Sequence, residues 1–249
     1  MSSEARLHLA HPEQPLFAAH LFPADFGSRS ATVERLARQL AASAVERDKA
    51  GGSAPAERQL LRGSGLLTLA VPQQFGGQGA AWPEIYRIVR HLAAADSSLA
   101  HLFAFQHLQV ATIQLFGSPE QQRHWLTRTV QENWFWGNAT NGRDTGLALS
   151  PREEHFELNG SKSFCSGALG ADALVISAPR GNRPDDRVFI VLPGGRDGLS
   201  VNSDWDGFGQ RQTDSGTVQF EQVFVDSSEL LGPVGPCLLY TSDAADDSL

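Results

Sequence analysis

The chain has 249 residues, 41% hydrophobic and 19% charged, with a formal net charge of −8. That length buries a sizeable core in one large or two ordinary domains. The acidic balance and scattered Lys and Arg argue against a nucleic-acid surface, and no window approaches the ~20 apolar residues of a membrane-spanning helix.

Cys165 and Cys237 make no disulfide framework and no metal-type pair, and the eight histidines show no metal spacing. A reducing, cytoplasmic compartment and no bound metal are therefore expected. Residues 1–29 read as an irregular, proline-punctuated lead-in without the apolar run of a signal peptide. The spacing then predicts a helix capped by Ser30, with Val33, Leu36, Ala37, Leu40 and Ala44 on one face, ending before Ala50-Gly51-Gly52-Ser53. A short helix over 55–62 is stopped by Gly63-Ser64-Gly65. After an apolar run at 66–71, the glycines of Phe75-Gly76-Gly77-Gln78-Gly79 demand a loop, and without a following Lys-Ser/Thr pair it is no phosphate cradle. Trp82-Pro83-Glu84 opens a helix carrying Ile85, Ile88, Val89 and Leu92. Asp96-Ser97-Ser98 caps the next, in which Leu99, Leu102, Phe103, Gln106 and Ile113 leave so little polar face that it belongs inside a helical domain. Ser118, Pro119 and Gln121 spell a capping box for a last helix ending near Gln131.

From Trp134 the hydrophobic period changes to two, over 134–140, 155–158, 161–166, 173–177, 188–192, 199–202 and 218–225. An α+β chain follows: a helical domain at 30–133, then a compact antiparallel β-barrel or sandwich at 134–236. Asn159-Gly160 predicts a type I′ hairpin joining 155–158 to the strand at 161–166. Strand parity puts Phe164 and Ser166 on one face, with Trp134, Trp136 and Asn138 grouped likewise, and turns Cys165 to the other face as a small core residue. An aromatic-walled surface ending in an amide and a hydroxyl suits a planar heteroaromatic cofactor. Residues 237–249 differ in character and read as a non-native, adapter-derived tail, in which case the natural C-terminal part is missing.

The order of motifs resembles the acyl-CoA dehydrogenase superfamily: Val71-Pro72-x-x-Phe75-Gly76-Gly77-x-Gly79, Gly117-Ser118-x-x-Gln121, Leu158-Asn159-Gly160-x-Lys162-x-Phe164-Cys165-Ser166-Gly167 and Gly209-x-Arg211-x-Thr213-Asp214-Ser215. Asn133-Trp134-Phe135-Trp136-Gly137-Asn138-Ala139, Phe164-Cys165-Ser166-Gly167 and Asp204-Trp205 are similar to the superfamily's flavin monooxygenase branch, which holds dibenzothiophene monooxygenase.

That resemblance implies a helical domain, a β middle domain and a C-terminal helical bundle, the last absent from this sequence. It implies the oxygenase component of a two-component system, in which reduced FMN (FAD as the alternative) arrives from a separate reductase and O2 oxygenates a small sulfur-containing or aromatic substrate. The full-length protein would be a homo-oligomer. Carried over by position, Asn138 and Ser166 contact the flavin and serve catalysis, Phe164 lies against the isoalloxazine and Trp205 lies near it. The branch often has a histidine in its pocket helix; here the segment reads Phe105-Gln106-His107, so His107 is the catalytic candidate, although one residue of slip turns a helical side chain by about 100°. Two other readings stand beside this one. One is an FAD-dependent acyl-CoA dehydrogenase, against which Asn138-Ala139-Thr140-Asn141-Gly142-Arg143-Asp144 lacks the usual Thr-Glu-Pro-type loop. The other is a non-catalytic binding or assembly module on the same scaffold.

Overall fold

The computed structural model describes residues 26–180 and 183–235. Most of the expected lead-in, and the tail at 237–249, lie outside the described residues. Five α-helices come first: α1 (Ser30–Ala50), α2 (Pro55–Gly63), α3 (Trp82–Ala95), α4 (Ser97–Phe116) and α5 (Pro119–Gln131). Their boundaries have local causes. Asp96 accepts the Leu99 N–H at 3.0 Å and so caps α4. Ser118 and Gln121 form both bonds of the capping box that starts α5. Ser30 departs from expectation, because its hydroxyl accepts from the Phe26 N–H at 3.1 Å and Arg29 holds the cap position of α1 with no capping bond from its side chain. Val33, Leu36, Ala37 and Leu40 are buried as the spacing requires, and Ile85, Ile88 and Leu92 of α3 join the same core. Each buried Val, Leu or Ile among them contributes ~1.5–3 kcal/mol.

The strands are β1 (Trp136–Ala139), β2 (Leu147–Pro151), β3 (Phe156–Lys162), β4 (Ala173–Arg180), β5 (Arg183–Pro193), β6 (Leu199–Val201), β7 (Val218–Val225) and β8 (Leu230–Gly235). They make one sheet in the order β6-β7-β3-β2-β4-β5-β8, with β1 also beside β4. The middle region is thus all-β, as the period-two pattern requires, but β1 and β2 meet β4 in parallel. Parity along β4 and β5 explains their near-continuous apolar runs. Ala173, Val175, Phe189 and Val191 face the helices, while Leu174, Ile176, Val188, Ile190 and Leu192 fill a second core on the other face.

The hairpin at Asn159-Gly160 does not form. A type I′ turn needs positive φ at both residues, yet only Gly160 has it, at 120°. β3 instead runs straight through, with β2 on one edge and β7 on the other. Glycine is needed here for close approach, since a Cβ on Gly160 would sit 1.9 Å from the Gly146 carbonyl oxygen. The register shift lies opposite, where Glu221 and Gln222 of β7 face Asn159 alone, Gln222 takes φ 51°, and the Asn159 Oδ1 accepts the Gln222 N–H at 2.9 Å. That bulge is written in the sequence. Val218 and Phe220, then Val223 and Val225, are buried, and the extra residue between the pairs keeps both on the core face.

Two glutamine side chains tie the layers. Gln121 Nε2 donates to the Ser228 and Leu230 carbonyls, each at 2.7 Å, clasping α5 to the start of β8. Gln106, wholly buried on α4, donates to the Leu67 and Trp134 carbonyls at 3.1 Å each and accepts the Trp136 N–H at 2.8 Å.

Gly160→Ala should lower stability by more than ~2 kcal/mol, because strain at its φ adds to a backbone collision. Gly63→Ala, in open space at the end of α2, should be neutral or slightly stabilising. Urea unfolding of both variants checks this, and equal midpoints would refute the close-approach argument.

Candidate active site

A cleft of about 750 Å³ opens between α4, the end of β1, and two loops of the β region. Helix α4 contributes His101 and Phe105, one turn apart and therefore on one face, with the rings stacked at 4.6 Å. One turn further, Gln109 reaches the side chain of Asn138 at the end of β1, its Nε2 donating to Asn138 Oδ1 at 3.2 Å. The same Oδ1 accepts from Thr140 Oγ1 at 2.6 Å and from the Thr140 N–H at 3.3 Å. A backbone N–H can only donate, so the amide is fixed with its oxygen turned to Thr140. The Asn138 Nδ2 makes no hydrogen bond among the described residues, and Asn138 lines the cleft.

The first loop carries Phe164, Cys165 and Ser166; the second carries Trp205 to Ser215. β3 ends at Lys162, so parity does not set these directions. Phe164 takes φ 55°, which turns its ring outward (60% exposed) while Ser166 is buried. Backbone bonds stitch the loops together: the Cys165 N–H to the Gly216 carbonyl at 3.0 Å, and the Gly167 N–H to the Thr213 carbonyl at 2.9 Å. Arg58 of α2, itself buried, clamps both, donating to the Gly167 carbonyl at 3.0 Å and to Asp214 at 3.2 Å, and also to the Leu169 carbonyl. Burial pushes the Asp214 carboxyl upward, and the Arg58 guanidinium opposes that rise. Five described non-glycine residues have positive φ, and three of them, Phe164, Gln210 and Asp214, are in these loops. Such strain persists only where surrounding bonds over-determine it.

A line of hydroxyls runs through the floor. His101 Nε2 lies 3.0 Å from Ser166 Oγ, Ser166 Oγ 2.8 Å from Ser215 Oγ, and Ser215 Oγ 2.7 Å from Thr213 Oγ1. Thr213 Oγ1 donates to the Gln210 carbonyl at 2.9 Å, which also takes the Trp205 Nε1–H at 2.8 Å. Burial holds the His101 imidazole below its ordinary value, so it is neutral near pH 7. Above this floor stand the rings of Phe105, Phe164, Trp205 and Phe208.

Asn138, Phe164, Ser166 and Trp205 thus come together in one cleft from three separate stretches. His107 does not join them. It lies six residues beyond His101, about 120° round the helix, wholly buried edge-on to Phe103 at 4.6 Å, with neither ring nitrogen hydrogen-bonded among the described residues. The histidine in the cleft is His101, and the i, i+4 pairing with Phe105 was the available signal. Trp134 and Trp136 are also absent from the cleft: both pack in the helix-side core, where Trp136 Nε1 donates to Thr129 at 3.1 Å. Cys165 is buried, and burial drives its thiol up to about 12, the mark of an inert core cysteine. Sequence reasoning missed Thr213 and Ser215 as cleft residues, because nothing local in a loop announces a partner some fifty positions away.

Helical layer, mixed sheet and cleft between them define a flavoenzyme-type scaffold, and the chain belongs to the acyl-CoA dehydrogenase family. The family's N-terminal domain matches residues 28–133 and its middle domain residues 138–223. The chain is 47% identical over 206 residues, 83% of its length and 52% of the relative's, to a probable FMNH2-dependent monooxygenase, SfnC, of Pseudomonas putida. It is 43% identical over 224 residues, 86% of its length and 54% of the relative's, to dibenzothiophene monooxygenase of Rhodococcus qingshengii. Among solved structures, FMN-bound TdsC of Paenibacillus sp. A11-2 superposes with a TM-score of 0.79 at 40% identity, over 84% of this chain and 55% of that one. The chain therefore spans about half the length of the relatives it matches.

His107 titrates near 6.5 when unfolded, whereas burial drives it down to about 3 in the fold. The unfolded state then binds a proton that the folded state refuses, so stability falls as pH drops from 6.5 toward 3, by up to ~1.4 kcal/mol per pH unit. His107→Leu removes this contribution. Its urea-unfolding stability should depend less on pH than the wild type's between about pH 6.5 and 4, and parallel pH profiles would show that His107 does titrate in the core.

Proposed function

We propose that this chain forms the flavin-binding part of the oxygenase component of a two-component monooxygenase, using reduced FMN and O2 on a small sulfur-containing or aromatic substrate. The observation that carries the reading is the cleft itself: Asn138, whose Nδ2 has no hydrogen-bond partner among the described residues, lines an aromatic-walled space together with Ser166. An open donor and a hydroxyl between ring-sized apolar surfaces fit the polar edge and the faces of an isoalloxazine. Bound reduced flavin supplies the activation of O2 and the delivery of one oxygen atom to the substrate.

The residues supply the rest. Asn138 and Ser166 hold the polar edge. Phe105, Phe164, Trp205 and Phe208 displace water, which strengthens every hydrogen bond made there. His101 holds a proton at Nε2 next to Ser166. We place the whole protein in the cytoplasm, on its sparse cysteines, as a homo-oligomer supplied by a separate flavin reductase. No helix among the described residues is long and apolar enough to cross a membrane.

Ser166→Ala should keep the fold by circular dichroism yet weaken reduced FMN binding roughly fivefold, the worth of one net hydrogen bond of ~1 kcal/mol. Unchanged affinity in an anaerobic fluorescence titration would remove Ser166 from the reading. The whole protein should also oxidise no NADH unless a reductase is added, since the chain has no Gly-x-Gly-x-x-Gly fingerprint. Steady NADH consumption by the purified protein alone would count against the two-component assignment.

A further inference from the structure

The floor of the cleft has a determinate proton order. The Gln210 carbonyl carries no proton, so its 2.9 Å contact with Thr213 Oγ1 is a bond only if Thr213 donates. The opposite order would press two lone pairs together at that distance. With its one proton spent, Thr213 must accept from Ser215, and Ser215 from Ser166. Ser166 has then given its own proton away, so the 3.0 Å contact with His101 requires His101 Nε2 to be the donor. Ser166 is left with one lone pair and no proton for a ligand. Beside it, the Asn138 N–H donates to the Ser166 carbonyl at 3.0 Å, which places the two residues side by side. Asn138 Oδ1 is saturated by Thr140 and Gln109, so its side chain offers only the Nδ2 donor.

We propose that this acceptor–donor pair selects the redox state of the ligand, with Thr213 and Ser215 as the positioning residues that impose it. The inference rests on the flavin reading above. A reduced flavin presents N5–H and O4, a donor beside an acceptor, which complements Ser166 Oγ and Asn138 Nδ2. An oxidised flavin presents two acceptors, and its unprotonated N5 meets the Ser166 lone pair. The site therefore takes up reduced flavin and rejects the spent, oxidised form. No electron or proton transfer is needed for the discrimination; it is set before the ligand arrives.

Two measurements on the 249-residue chain test this. The first needs no flavin: long-range proton–nitrogen NMR of the histidine-labelled chain, with His101 assigned by His101→Gln, should show a neutral ring protonated at Nε2. A ring protonated at Nδ1 would overturn the proton order. The second is an anaerobic titration with oxidised FMN and with dithionite-reduced FMN. Reduced FMN should bind at least ~10-fold tighter, equivalent to about 30 mV in the two-electron potential of the bound flavin. Ser215→Ala and Thr213→Val each free the Ser166 proton to serve an unprotonated N5, so the ratio should fall toward one. A merely structural role would weaken both forms alike and leave the ratio untouched, which would overturn the assignment of Thr213 and Ser215. Equal affinities in the wild type leave the flavin reading standing and overturn the selectivity. Binding of neither form removes both.

Discussion

The arrangement depends on one buried amide. Gln106 sits at 0% exposure and satisfies three backbone groups belonging to two segments, the turn after α2 and the entry into β1. Each would cost ~1–3 kcal/mol if left unpaired in the core. Because the strand is held at Trp134 and Trp136 against a fixed point of α4, Gln109, three residues further on, meets Asn138, while His101, two turns before Gln109, meets Ser166. The geometry of the cleft is thus inherited from a contact outside it.

The two cleft loops are held in the same indirect manner. Their backbone is strained at Phe164, Gln210 and Asp214. What fixes them is a set of charged and polar anchors on the helices: Arg58 on the Gly167 carbonyl and Asp214, Ser98 accepting from the Gln212 N–H, and Arg47 bonded to the Gln212 side chain. Arg47 is in turn paired with Asp96 and Glu57. The helical layer therefore does more than shield one face of the sheet; it carries the partners that make an irregular loop pair behave as a rigid floor.

What the sequence made legible followed the range of the signal. Helix ends set by neighbouring residues, such as the Ser118–Gln121 box and the Asp96 cap, stand where the spacing puts them. Strands with strong patterns were legible too, β7 to the residue. β2 was not, since Leu147–Pro151 is a five-residue strand between polar stretches and ends in Ser150-Pro151, which reads as a turn, and β8 was hidden by its Gly232-Pro233 pair. Asn159-Gly160 misled because an Asn-Gly pair signals a turn only when nothing else claims the strand, and here both edges of β3 are claimed. In the cleft, Asn138, Phe164, Ser166 and Trp205 could be named through the family likeness. The hydroxyl line could not, because it is a property of loops brought together by Arg58 and not of any one segment. His107 was named from the family's pocket-helix histidine, and the phase of so apolar a helix cannot be read without its neighbours.

Gln121 shows how one residue can be under two selections at once. For the capping box a glutamate at that position would serve as well as a glutamine, since only a side-chain oxygen reaching back to the Ser118 N–H is required. The clasp on the Ser228 and Leu230 carbonyls needs protons, and only the amide has them. A ribosome finishes α5 about a hundred residues before it makes those carbonyls, so the helix begins with its own cap and waits for its tertiary partner. The choice of amide over acid at a single helix start records, in the nascent chain, a contact that does not yet exist.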